Sequence, residues 1–186
     1  MSVPRVVSST SLLPRRLPLV DEVLDAHSTE LGTHFAAYRN HVCRVVSLCE
    51  VLAPLSDVDR RHIQIAACFH DLGIWTAGTF DYLAPSCALA RRHLEERGRA
   101  EWIAPVSRII DEHHKIRRTR DRLAECFRRA DWIDVTMGAL RFGVPRGLIR
   151  DLQAQYPNEG FHALLVGLTW RRTLRRPWSP LPMLRW

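Results

Sequence analysis

From residue 17 onward, apolar residues recur at i, i+3, i+4 and i+7 rather than alternating, and leucine, alanine and arginine dominate. That periodicity predicts an all-α fold with no sheet. Helices are expected near residues 20–31, 34–53, 57–72, 85–97, 100–115, 121–138, 145–155 and 159–175. Asp57 suits the N-cap of the third, and Pro85 the first turn of the fourth. Between them, Gly73 to Ala84 reads as a long loop carrying Gly78, Phe80, Asp81 and Tyr82, a length that in compact domains often serves function. The organisation expected is a flexible Ser/Pro/Arg-rich segment over 1–16, one helical bundle over 17–176, and a Pro/Trp-rich strap over 177–186, with no internal repeat.

Composition adds bounds. With 186 residues, 46% hydrophobic and 25% charged, the chain fits one ordinary globular domain that needs no disulfide or structural metal merely to fold. Any metal it binds is then functional. The longest run without Asp, Glu, Lys or Arg spans Gly160 to Trp170, 11 residues, short of the roughly 20 that cross a bilayer. No apolar stretch follows the N-terminal arginines, so a secretory signal is not expected and a cytoplasmic setting is. The five cysteines form no CxxC pair and sit at helical spacing among apolar residues, as core residues do. Net charge is +7, but 26 of the 27 basic residues are arginines spread along the chain, with Lys115 alone as lysine. This favours a small anionic substrate over nucleic acid as partner. Trp178 and Trp186 in the tail are a candidate partner surface, which leaves room for an oligomer.

The chemistry lies in where the histidines fall. Ile63, Ala67 and His70 share one helix face, with Asp71 beside them; His41 is in line with Val45, Leu48 and Leu52. His93 follows Leu89 and Ala90 by one turn; Trp102, Val106, Ile109 and His113 make one stripe, and Ile103, Ser107, Ile110 and His114 the adjacent one. Asp131 follows Phe127 by a turn, and Asp134 shares its face. One inward histidine is ordinarily a core residue with satisfied nitrogens. Four or more imidazoles with carboxylates cannot be buried together cheaply, and a metal centre satisfies them at once.

At this point the chain resembles the HD-domain superfamily of metal-dependent phosphohydrolases, through NHVCRVVSLCEVL around His41, ACFHDLGIW around His70 and Asp71, and FRRADWIDV around Asp131. The likeness covers Thr33 to Met137 and implies an HD-domain helical bundle. It further implies a first metal on His41, His70, Asp71 and Asp131, and a second on His93 and His113 with Asp71 bridging. His114 competes with His113, and Asp134 with Asp131. The cofactor implied is one or two divalent ions of manganese, iron, cobalt, nickel or zinc, which suit nitrogen-rich sites.

The activity implied is attack by a metal-activated hydroxide on a small phosphorylated compound, a nucleotide being the commonest. Asp71, Lys115 and Arg44 are the candidate catalytic groups, with Tyr38, Tyr82, Arg117 and Arg118 as candidate substrate contacts; solvated surface positions are the other reading of these cations. Two alternatives stand beside the hydrolase: a di-iron oxygenase of the same superfamily, cleaving a C–C or C–P bond with the same ligands, and a binding protein with an inactive site. Ile74 stands where many relatives carry lysine or histidine. The histidine pair runs into KIRRTRDR rather than Gly-Tyr-Pro, which argues against the cyclic-dinucleotide branch.

Overall fold

The computed structural model describes residues 17–79, 81–175, 177, 178 and 183. The expectations for segment 1–16 and for most of the tail lie outside them. The chain is helical, without a β-strand among the described residues. In order come α1 (Pro18–Asp25), α2 (Ser28–Leu31), α3 (Phe35–Leu52), α4 (Asp57–Phe69), α5 (Gly73–Thr76), α6 (Leu83–Glu96), α7 (Ile103–Glu112), α8 (Arg122–Val135), α9 (Arg146–Gln155) and α10 (Phe161–Arg175). None is long and apolar enough to cross a membrane.

Local chemistry sets several boundaries. Pro18 opens α1. Ser56, not Asp57, caps α4: its hydroxyl accepts from the Asp59 amide while the Asp59 carboxylate accepts from the Ser56 amide. Asp121 caps α8 by accepting from the amides of Leu123 and Ala124. The expected long loop is shorter than read, because Gly73–Thr76 forms one helical turn and α6 already begins at Leu83. Gly73 allows this turn to lie against α6. A Cβ there would come 2.6 Å from the Tyr82 carbonyl oxygen and 2.9 Å from Ser86 Oγ.

The bundle centres on α3, which packs along α8 and against α4, while α7 lies against α4, α6 and α8. The core is apolar where these meet, with Val42, Val45, Leu48, Ile63, Ala66, Phe127 and Ala130 buried. The same interior also holds buried His41, His70, Asp71, His113, Asp131 and Asp134. All five cysteines are free thiols, four of them buried.

Candidate metal centre

Two doublets meet here, and both lie just past a helix end. His70 is the C-cap of α4 and His113 the C-cap of α7. Each turns its Nδ1–H back onto the carbonyl three residues earlier, His70 onto Ala67 at 2.8 Å and His113 onto Ile110 at 2.6 Å. These are carbonyls that a terminating helix leaves without partners. Asp71 and His114 follow where the helix has already stopped. That explains why His113 and His114 need not compete: neighbours on a continuing helix point about 100° apart, but here both approach Asp71. Their rings lie 3.9 Å apart.

The third imidazole comes from α3. His41 Nδ1–H donates to Asp134 Oδ2 at 2.7 Å, and the Asp134 carboxylate is gripped by Arg44 through Nε at 2.6 Å and Nη2 at 2.9 Å. The ring also stacks on Phe161 at the start of α10, centroids 4.1 Å apart. With Nδ1 donating in His41, His70 and His113, the neutral form of each ring carries its lone pair on Nε2. His41 Nε2 and His70 Nε2 nonetheless lie 3.0 Å apart. Two lone pairs at that distance repel, and a cation shared between them relieves the repulsion.

Carboxylates complete the ring. Asp131 Oδ1 lies 3.5 Å from His41 Nε2 and 3.8 Å from His70 Nε2, and Asp71 Oδ2 lies 3.4 Å from His70 Nε2. Asp71 Oδ1 is 3.5 Å from His113 Nε2. Asp71 Oδ1, Asp131 Oδ1 and His113 Nε2 are buried with no hydrogen-bond partner. Burial, reinforced by Asp71 and Asp134, pushes the Asp131 carboxyl up to about 6 despite the pull of His113 and His41. Burial, with His113 and His41 nearby, drops His70 to about 3. His41, His70 and Asp71 form one group of mutually close donors, and Asp71, His113 and His114 another. Imidazole nitrogens beside unpartnered buried carboxylate oxygens are a donor set that fits divalent transition ions.

The other expected site residues fall in different places. His93 does not join the cluster: it packs edge-on against Phe69, 5.1 Å between centroids, and lines a separate pocket with Arg97 and Trp102. Its Nε2 is buried without a partner, and burial with nearby Arg97 lowers it to about 4. The stripe that put it inward is the ordinary core face of α6. Arg44 is buried behind Asp134, also donating to the Tyr156 carbonyl at 2.7 Å, and does not line the cavity described below. Lys115 Nζ pairs with Glu112 at 3.0 Å, and Arg117 and Arg118 are exposed; none of the three lines that cavity. Tyr38 is buried as a support: its hydroxyl donates to the Cys68 carbonyl at 3.0 Å and accepts from the Asp71 amide at 3.3 Å. Tyr82 does reach the cluster, its hydroxyl 2.6 Å from His114 Nε2.

Phe161 and His162 did not figure in the sequence analysis, and Asp134 figured only as a rival ligand. His162 Nε2–H donates to the Asp134 carbonyl at 2.9 Å. Position on α8 singles out Asp134, three residues after Asp131, but nothing in local spacing marks the start of α10 as part of the site.

Above the cluster opens a cavity of about 540 Å³. Asp71, Asp131, His114 and Tyr82 form its floor, and α8 and α10 its walls. No lysine or arginine lines it among the described residues. Buried Met183, from the tail, closes one side and packs with Ile74, Tyr82 and Leu83.

Residues 38–136, more than half of the chain, match the family model described as HD domain. No curated protein and no solved structure shows a significant match to the chain.

Proposed function

The chain belongs to the HD-domain family, and on that footing we propose that it is a metal-dependent phosphohydrolase acting on a small phosphorylated substrate. The observation that supports this best is the pair of Nε2 atoms of His41 and His70, 3.0 Å apart with each Nδ1 already donating elsewhere. In this reading His41, His70, Asp71 and Asp131 hold one ion, and Asp71, His113 and His114 the other. Asp71 serves both, and His93 drops out. Divalent cations of manganese, iron, cobalt, nickel or zinc, when bound, would lower the pKa of a water towards neutrality and polarise the phosphoryl group.

The protein's own groups do the rest. Asp134 and Arg44 fix the His41 tautomer, and the Ala67 and Ile110 carbonyls fix those of His70 and His113. Tyr38 holds the backbone of the doublet. Burial and the neighbouring Asp71 charge keep Tyr82 protonated, so its hydroxyl is a donor at the cavity floor, next to His114.

The test is turnover of p-nitrophenyl phosphate by protein reconstituted with manganese. Hydrolysis abolished by chelation and restored by metal supports the proposal; no turnover with any of the five metals contradicts it. The absence of cationic side chains from the cavity among the described residues favours a second reading, the oxygenase, because phosphoryl transfer usually recruits such groups to developing charge. Oxygen uptake by the iron-loaded protein, with no phosphatase activity, would select it.

A further inference from the structure

The walls of the cavity say more about the substrate than its floor does. Beyond Tyr82 and His114, the surface is built from Trp132 and Val135 of α8, Leu165, Val166 and Trp170 of α10, and Met183. The remaining wall groups, such as Thr136, Thr169 and His162, are uncharged or weakly basic. Among the described residues no arginine or lysine faces this space, and Lys115, Arg117 and Arg118 lie outside it. A nucleoside triphosphate carries several negative charges, of which only those at the reacting phosphoryl group would meet the metals. The rest would lie along tryptophan, leucine and valine, with no cationic partner among the described residues.

An apolar body reverses that balance. Trp170 is 64% and Val166 69% exposed on the cavity rim, so apolar surface is available for a substrate to cover. The cavity also has the size and largely apolar lining of small-molecule sites with a few convergent polar groups. We infer that the site takes a substrate with one anionic head and an apolar body, an alkyl or aryl phosphoric ester rather than a nucleoside polyphosphate. This rests on the phosphohydrolase reading for the head and on the α8–α10 wall for the body.

The test is calorimetric titration of the manganese-loaded protein with alkylphosphonates from methyl to octyl, and with ATP. Affinity should rise about three- to fourfold per added methylene until the cavity is filled, with octylphosphonate binding more tightly than ATP. A flat series, or ATP as the tightest ligand, overturns the inference. Trp170→Ala, at an exposed position, should flatten the series; an unchanged slope there and in Leu165→Asn also overturns it. If two chains associate and Trp170→Ala separates them, the wall belongs to a second copy and the inference fails. Failure of p-nitrophenyl phosphate hydrolysis with the chain-length slope intact would instead remove the hydrolase reading and leave the apolar site standing.

Discussion

Asp134 and His41 are joined by a buried hydrogen bond of 2.7 Å, and it is made on the ring nitrogen that faces away from the cluster. The bond fixes which nitrogen of His41 carries the proton, and hence leaves Nε2 free to coordinate. Asp134→Asn offers a weaker acceptor and loses the charge held by Arg44. It should weaken metal binding about 10- to 100-fold, read by calorimetric titration of metal-free protein. Affinity equal to that of the unaltered protein would mean that the ring is oriented by Phe161 stacking alone.

Arg44 acts one step further out. Replacing it by alanine leaves the Asp134 carboxylate in the core with His41 as its sole remaining side-chain partner of those described above. Removing one member of such a buried pair costs about 3–5 kcal/mol, which urea denaturation would register. A loss below about 1 kcal/mol would show that water reaches Asp134 readily.

Gly73→Ala probes how the loop meets α6. The added methyl would meet the Tyr82 carbonyl, backbone that cannot swing aside, so α5 and Tyr82 must separate. The expected cost is about 1–3 kcal/mol of stability, together with lower turnover as Tyr82 leaves His114. Unchanged melting temperature and activity would contradict the close approach.

His93 gives a pH signature separate from the metal centre. Its folded-state pKa, lowered by burial and Arg97 to about 4, lies below the usual 6.5, so between these values the unfolded chain binds more protons than the folded one. Stability from this residue is therefore present above about pH 6.5 and lost as pH falls towards 4. His93→Leu should remove that contribution, narrowing or reversing its stability difference from the unaltered protein on acidification. Parallel urea midpoints for both proteins from pH 7 to pH 4 would contradict it.

The helical architecture was legible because helix periodicity reports burial directly, and it placed His41, His70 and Asp131 on inward faces. It went astray at helix ends. Periodicity extended α7 through residue 115, which set His113 against His114; the helix stops at Glu112, and both turn to Asp71. His93 shows the opposite failure, since an inward stripe on α6 marks the core but not which part of it. Arg44 was legible as a neighbour of His41 one turn away, yet spacing alone does not tell a buried positioning residue from a substrate contact. The apolar wall on α10 depends on how that helix packs over α8, a long-range relationship that no local pattern carries.

Metal titration of the metal-free protein tests the centre most directly. Two divalent cations should bind per chain; His114→Ala should lose one, His70→Ala should weaken the other, and His93→Leu should keep both. A chain that binds no metal, or binds it equally well without His70 and without His114, would contradict the account.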